Sequence, residues 1–307
     1  MKRRGKSYIR AVTVLEAIRK STEFLAKKGV ESPRLQTELL LAHLLSMPRM
    51  KLYLNFERTL TPAETEAFRE LIKRRGQREP LQYIVGSCSF CGLEIAVNRH
   101  ALVPRPETEL LAEQGWKFLN ELSVSGRQPS ASTPPAALDF GTGTGCIAIA
   151  LAVKCPGVHI YATDISHEAL DLAAQNAARH DTAGSIQFLH GDGFAALPDK
   201  ILSDLIISNP PYIPSAEIET LQPEVRDHDP RSALDGGPDG LDFFRKLAAG
   251  SRRFLKSDGR IMLEFGDGQA ASVQKIFQEQ NWVVEALQND YSQRPRILVA
   301  SNGSGAL

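Results

Sequence analysis

Cysteine is scarce in this chain: Cys88, Cys91, Cys146 and Cys155 are the only four among 307 residues. So few cysteines do not build a disulfide scaffold at this length, and they fit a reducing compartment. Cys88 and Cys91 have the spacing of half a zinc site, but no second pair exists, so both are assigned to the core or the surface. Cys146, at the start of a buried helix, is assigned to packing. The seven histidines show no metal-ligand spacing, and no metal is expected. An apolar run of about eighteen residues is also missing, so no membrane span is expected. The start, Met1-Lys2-Arg3-Arg4-Gly5-Lys6, is basic but leads into polar residues rather than the apolar stretch of a signal sequence, which makes cytoplasmic the expected location. Nor does charge of either sign predominate, since 36 Lys and Arg balance 36 Asp and Glu. A neutral chain has no net attraction for phosphate, so nucleic acid is not the expected partner. No internal repeat is visible.

What remains is the composition of a soluble globular protein, 42% hydrophobic and 23% charged, long enough for one large domain or two ordinary ones. From about Ser7 to Arg75 the pattern is helical. Ile9, Val12, Leu15 and Ile18 recur at helical spacing, as do Leu35, Leu39, Leu40 and Leu44. Ser32-Pro33 reads as an N-cap with proline at the first helical position, and Thr61-Pro62-Ala63-Glu64 as a capping box, with Gly76 as the stop. The basic runs Lys73-Arg74-Arg75 and Arg252-Arg253 are expected on solvated helix faces. Between Gln82 and Val103 the pattern changes to short strands, Tyr83-Ile84-Val85, Phe90 and Leu93 to Val97, punctuated by Gly86 and Gly92 as in a hairpin. Thr108 is placed as the cap of a helix reaching about Leu122, and Ser123 to Pro135, rich in serine, proline and glycine, as a surface loop.

From Ala136 onward strands and helices alternate. Strands are expected at Ala137–Phe140, His159–Thr163, Ile186–His190, Leu205–Ser208, Arg260–Phe265, Trp282–Leu287 and Arg296–Ala300. This alternation predicts an α/β, doubly wound, mostly parallel sheet. The first strand runs into Asp139-Phe140-Gly141-Thr142-Gly143-Thr144-Gly145 and then a helix, a loop whose glycines let backbone pass close to a ligand at a helix N-terminus. A dinucleotide fingerprint needs glycine or alanine where Cys146 stands, which argues against a dehydrogenase. Asp164 ends the next strand, placed to accept from two ribose hydroxyls; Ser166 already serves as the cap of the following helix. Asp192, after the third strand, is placed to accept from an adenine amino group, or else is a solvated turn residue.

The fourth strand leads into Asn209-Pro210-Pro211-Tyr212. A primary amide or exocyclic amine has two N–H donors and a delocalised lone pair, so both donors must be held for the nitrogen to face a methyl donor. The Asn209 side-chain carbonyl accepts one. The prolines, lacking N–H, present the Pro210 carbonyl without a competing donor, and Tyr212 offers a flat face. Both acceptors strengthen as positive charge develops on nitrogen. A rigid turn closing a strand is the plain alternative for this tetrapeptide.

These segments resemble the release-factor glutamine methyltransferase family over nearly the whole length. The resemblance rests on Ser32-Pro33-Arg34-Leu35, Pro80-Leu81-Gln82-Tyr83-Ile84-Val85-Gly86 and Val103-Pro104-Arg105-Pro106-Glu107-Thr108-Glu109. It continues through the glycine loop, the Asn-Pro-Pro-Tyr turn, Pro230-Arg231-Ser232-Ala233-Leu234-Asp235-Gly236-Gly237 and Asp239-Gly240-Leu241. The turn alone is shared with adenine and guanine amino-methyltransferases, so it speaks for the chemistry and not the substrate. The resemblance implies a seven-stranded class I methyltransferase sheet of Rossmann-like form. It implies methyl transfer from S-adenosyl-L-methionine to the glutamine of a Gly-Gly-Gln motif in peptide-chain release factors. Cofactor contacts fall on Gly141, Thr142, Gly143, Thr144, Gly145, Asp164, Gly193 and Asn209, beside the Asp192 read above from its place after the third strand. Substrate contacts fall on Asn209, Pro210, Pro211 and Tyr212, with Asn209, Pro210 and Tyr212 carrying the chemistry. Gly193 departs from the family, which often has tryptophan there near the adenine, and Phe194 is the expected substitute. Glu264, at a strand end, is left between a place near the substrate and a solvated position. The expected organisation is a small helical N-terminal substrate-recognition domain over 1–79, a hairpin link over 80–105 and the methyltransferase domain over 106–307. Two rivals stay open: an amino-methyltransferase acting on adenine or guanine in DNA or RNA, and a catalytically silent module that keeps the cofactor fold.

Overall fold

The structure, a computed structural model, describes residues 12–124, 134–198 and 201–302. The chain divides into two compact units, Met1–Gly86 and Ser87–Leu307. In the first, five helices form: α1 (Val14–Lys27), α2 (Pro33–Leu44), α3 (Arg49–Tyr53), α4 (Pro62–Gly76) and α5 (Leu81–Val85). The expected capping box closes the start of α4, where Thr61 Oγ1 accepts from the Glu64 N–H at 3.2 Å and Glu64 Oε2 from the Thr61 N–H at 2.8 Å. Pro33 does open α2, but Ser32 sits at φ 46° and its side chain makes no cap bond. Ser7 and Ile9 lie outside the described residues. The apolar faces meet in one core containing Val14, Ile18, Leu40, Leu41, Phe68 and Ile72. Buried Glu38 joins α2 to α3, accepting from Arg34 Nε at 2.9 Å and from the Tyr53 hydroxyl at 2.8 Å. Arg75 is not on a solvated face: it is buried and donates to the Gln36 side chain on α2.

Tyr83-Ile84-Val85 is helical rather than extended. Pro80 starts the turn, Gly86 at φ 86° ends it with its N–H on the Gln82 carbonyl at 2.7 Å, and Ile84 packs into the helical core. Burial of one apolar residue on a helical face outweighs the strand preference of the Ile-Val pair.

The second unit opens with a hairpin, β1 (Ser87–Phe90) and β2 (Leu93–Ala96), whose turn residues Cys91 and Gly92 both have positive φ, as a tight two-residue hairpin turn requires. Helix α6 (Pro106–Val124) follows. Its first residue is Pro106, so Thr108 lies inside the first turn rather than capping it. Of the expected loop from Ser123, residues 125–133 lie outside the described residues.

Then come β3 (Ala136–Phe140), α7 (Cys146–Lys154), β4 (His159–Asp164), α8 (His167–Arg179), β5 (Ile186–His190) and β6 (Ser203–Ser208). They are followed by α9 (Pro223–Arg226), α10 (Asp242–Gly250), β7 (Leu255–Glu264), α11 (Ala270–Glu279), β8 (Trp282–Asn289) and β9 (Pro295–Asn302). Seven of these strands form one sheet in the order β5-β4-β3-β6-β7-β9-β8, parallel except for β9, which runs antiparallel to both neighbours. The expected doubly wound class is what forms. Strand alternation divides the core in two: Ala137, Leu205, Ile207 and Met262 pack with α6 and α7, while Leu138, Ile206, Ile261 and Leu263 pack with α10 and α11. Strand order reverses beside β3, and ligands bind open α/β sheets at the carboxyl ends of strands at such a point. Those ends are Phe140, Asp164 and Ser208. Among the described residues no helix is long and apolar enough to cross a membrane.

Gly115 lets α6 lie close on the sheet. A Cβ there would stand 3.0 Å from Ile207 Cδ1 and 3.1 Å from Leu151 Cδ2. Gly115→Val is expected to lower stability by about 1–3 kcal/mol through overpacking. Urea denaturation checks this, and an unchanged midpoint would mean the helix has room to shift.

Candidate active site

The glycine loop between β3 and α7 is held from below by a buried carboxyl. Asp139 Oδ2 accepts from Thr142 Oγ1 at 2.7 Å and from the Ala148 N–H in the first turn of α7 at 3.2 Å. Burial pushes this carboxyl up to about 7, against the lowering effect of those two bonds. From the side, the Thr163 carbonyl accepts the N–H groups of Gly141 and Thr142 at 2.9 and 2.8 Å. Gly141 (φ 75°) and Gly143 (φ 55°) leave open the space where side chains would project, and both line a cavity of about 290 Å³. Gly145 does different work: it faces α8, where a Cβ would stand 3.0 Å from Ala173 Cβ, and it does not line the cavity.

Asp164 lies in the same cavity, its Oδ2 accepting from the Gly143 N–H and its Oδ1 from the Ser166 N–H, each at 2.9 Å. Each carboxylate oxygen keeps a further lone pair for a ligand. Ser166 also caps α8, accepting from the Ala169 N–H at 3.1 Å. Asp192 and Gly193 line the cavity too, with the Asp192 carboxylate ion-paired to Lys246. Gly193 has no room for a side chain, because a Cβ there would stand 2.6 Å from the Phe140 ring. Phe194 is not the cavity's aromatic. It is 6% exposed, its ring stacked on Phe254 at 5.2 Å and tilted against Phe140 at 5.0 Å, because the short 3₁₀ turn Gly193–Ala196 directs it into the core. Phe140 and Phe243 supply the aromatic lining instead.

A second cavity of about 320 Å³ is lined by Pro210, Tyr212, Glu264 and Arg296 among others. Leu102, Arg105, Asn209 and Ala233 line both cavities, so Asn209 stands on their common wall, while Pro211 faces the first. The Asn209 Nδ2 group donates to Thr108 Oγ1 at 3.0 Å, which leaves Oδ1 as the acceptor. Thr108 in turn donates to Glu264 Oε2 at 2.7 Å. Glu264 is 1% exposed rather than solvated, and burial pushes its carboxyl up to about 7. Burial also raises the Tyr212 phenol well above its ordinary value.

The turn is clasped by the later segment. The Ile213 N–H donates to the Leu234 carbonyl at 3.0 Å and the Gly236 N–H to the Ile213 carbonyl at 2.9 Å. Gln269 donates to the Tyr212 carbonyl at 2.9 Å and accepts from the Gly266 N–H at 2.8 Å. Gly240 is required here: a Cβ would stand 2.3 Å from the Tyr212 carbonyl oxygen. The Cys88 and Cys91 thiols are half-buried and pushed up by burial to about 11 and about 12, which suits packing.

Residues 16–86 match the family model of a PrmC N-terminal domain, and residues 128–222 that of a methyltransferase small domain. The chain is 45% identical over 254 residues to a release factor glutamine methyltransferase of Geobacter sulfurreducens, covering 83% of this chain and 84% of the relative. The chain belongs to the release factor glutamine methyltransferase family. A protein of the same name from Chlorobaculum tepidum is 40% identical over 287 residues, covering 92% of this chain and 95% of the relative. A solved methyltransferase structure from Pyrococcus furiosus shares the fold, with a TM-score of 0.50 at 18% identity, covering 69% of this chain and 90% of that one.

Within this methyltransferase, three residues stand at the site that sequence patterns did not single out for it, Phe140, Thr108 and Gln269, while Glu264, left open between two positions, takes the one near Asn209 and Tyr212. The signal for Glu264 was an acidic residue at a strand's carboxyl end. Asp164→Ala is expected to weaken S-adenosylmethionine binding by about 1–3 kcal/mol, through lost charge-assisted hydrogen bonds and a loosened Gly143. Calorimetry showing unchanged affinity would remove Asp164 from the cofactor site.

Proposed function

We propose that this protein transfers a methyl group from S-adenosyl-L-methionine to the side-chain amide nitrogen of the Gly-Gly-Gln glutamine in peptide-chain release factors. One observation carries the reading at the level of chemistry: Asn209 lines both cavities, and because its Nδ2 donates to Thr108 Oγ1, its Oδ1 is left to accept. The curated relatives carry it at the level of substrate.

The first cavity suits the cofactor by its donor set. Open space over Gly141 and Gly143 admits close approach of a ligand to backbone, the Asp164 carboxylate suits ribose hydroxyls, and Asp192 suits an adenine amino group that shares it with Lys246. Bound there, the cofactor supplies an activated methyl group on sulfonium sulfur. The protein's part is then orientation. Asn209 Oδ1 and the Pro210 carbonyl accept the two N–H groups of the glutamine amide, and the Tyr212 ring packs on its plane. Both acceptors strengthen as charge develops on nitrogen, so they favour the transition state over the bound substrate. Holding nitrogen, methyl and sulfur in line supplies the remainder. The helical unit Met1–Gly86 serves to recognise the folded substrate, since binding energy far from the reacting amide orients it. A release-factor substrate and this cofactor both support a cytoplasmic location.

Incubation with methyl-labelled cofactor and release factor, with DNA and RNA in parallel, tests the reading. Label is expected on the protein alone, and label on nucleic acid would favour an adenine or guanine amino-methyltransferase. Asn209→Ala is expected to lower the single-turnover rate by at least about a hundredfold; a near-wild-type rate would end the role given to Asn209. A chain beginning at Ser87 is expected to keep cofactor binding in calorimetry and to methylate release factor far more slowly. Equal rates would take the helices out of recognition.

A further inference from the structure

The wall shared by the two cavities contains a polar chain that the transfer itself does not use. It runs from Asn209 Nδ2 to Thr108 Oγ1 at 3.0 Å and from Thr108 Oγ1 to Glu264 Oε2 at 2.7 Å. Thr108 is 3% exposed and Glu264 is 1% exposed, so the link between them is buried, while Asn209 at the other end is half-buried. We infer that Thr108 and Glu264 are positioning residues that fix which end of the Asn209 amide faces the reacting nitrogen, and that the ionised carboxylate of Glu264 sets the direction of the chain. The inference rests on the amide-methylating reading above and assigns that site its control of orientation.

The need for such control lies in the asparagine itself. The two ends of a primary amide are nearly the same size, and a half-turn about its terminal bond exchanges an acceptor for a donor at little steric cost. With oxygen forward, Asn209 accepts an N–H of the substrate. With nitrogen forward, donor meets donor and the substrate amide is turned away. Packing cannot distinguish the two states; a hydrogen-bond partner of fixed polarity can.

A threonine hydroxyl has one proton and can donate or accept, so Thr108 alone does not fix that polarity. An ionised carboxylate only accepts. Beside it the Thr108 proton must point to Glu264, and Thr108 Oγ1 can then only accept from Asn209 Nδ2. Oxygen is thereby left forward. Protonation of Glu264 reverses the logic: the acid can donate into Thr108 Oγ1, the hydroxyl proton is released to point at Asn209, and the amide is no longer constrained. The groups facing Glu264 are Thr108 and Glu107 from the first turn of α6, Arg105 just before it, Tyr212 from the turn and Arg296 from β9. Arg296 donates to the Phe265 carbonyl at 3.1 Å and lies 3.5 Å from Asp290, so its charge is shared and only part of it acts on Glu264. Burial prevails over Arg296, Arg105 and the Thr108 bond, and holds the carboxyl near neutrality, at about 7.

The test uses the whole protein with release factor as substrate, under single-turnover conditions between about pH 6 and 9, with cofactor affinity measured in parallel. Wild type is expected to lose rate on the acid side with a midpoint near about 7. Thr108→Val, which keeps the shape, should slow transfer at least about tenfold with cofactor affinity unchanged. Thr108→Ser, which restores the hydroxyl, should return it to within about threefold of wild type. Glu264→Gln, whose amide can donate or accept, should be slow at high pH and lack the acid limb. A readout that needs no substrate accompanies these: the nitrogen-15 signal of the Asn209 side-chain amide should show a protected N–H in wild type and Thr108→Ser, and an unprotected one in Thr108→Val. That signal separates failure of the relay from failure of release factor as the substrate. The inference is overturned if Thr108→Val transfers within about twofold of wild type, if Thr108→Ser is as slow as Thr108→Val, if Glu264→Gln keeps the acid limb, or if Asn209 gives the same signal in all variants.

Discussion

The buried hydrogen bond from Ser208 Oγ to the Phe140 carbonyl, at 2.5 Å, holds the end of β6 against the end of β3. The two strands pair in register from Ala137 with Leu205 to Asp139 with Ile207, and this side-chain bond extends the pairing by one residue after the ladder stops. Beyond it the paths diverge: β3 becomes the glycine loop and β6 becomes Asn209. That contact fixes where the glycine loop and Asn209 start relative to one another. In a parallel sheet both strand ends point the same way, so two strands bring two loops to one place without a long connection.

Fixing the strand ends does not fix the turn that follows, and much of the later chain is given to that task. The bonds joining Ile213 to Leu234 and Gly236 make a short backbone clasp, and Gln269, the residue that precedes α11, closes it. Gly236 and Gly240 lie where any Cβ would strike Tyr212 backbone, at 2.8 and 2.3 Å. The Leu-Asp-Gly-Gly and Asp-Gly-Leu segments are therefore explained by the shape of the turn they hold. Arg105 adds a tie from the other side, bonded to buried Asp229 at 2.9 Å. A site that must distinguish an acceptor from a donor within one amide needs this rigidity, because small displacements of a hydrogen-bond acceptor cost much of its effect on a transition state.

The parts of this site that were legible in the sequence are those written locally. The glycine loop, Asp164 and the Asn-Pro-Pro-Tyr turn each follow directly on an apolar run, so their place at a strand end follows from chain order. The parts that were not legible depend on contacts between distant residues. Thr108 meets Asn209 across 101 positions and Glu264 across 156, and Gln269 meets Tyr212 across 57. In isolation Thr108 has the features of a helix cap, and Glu264 those of a strand end that is either solvated or near the substrate; only the packing of α6 on the sheet makes them neighbours. Phe194 shows the reverse failure. Its place in the chain beside Gly193 suggested a cofactor contact, but a single 3₁₀ turn sends the ring inward, and Phe140 takes the space that a side chain at Gly193 would have filled. The strand reading of Tyr83 to Val85 failed for want of the same tertiary information, since Ile84 is buried by helices far earlier in the chain.

In the proposed function a planar side-chain nitrogen is the methyl acceptor, and the acceptors on the common wall select it. The measurement that tests this most directly is the location of the transferred methyl group, read by fragmentation mass spectrometry of release factor after incubation with the protein and labelled cofactor. The account predicts the label on the side-chain nitrogen of the glutamine in the Gly-Gly-Gln motif. Label on a lysine, an arginine, a backbone nitrogen or any residue outside that motif would contradict it.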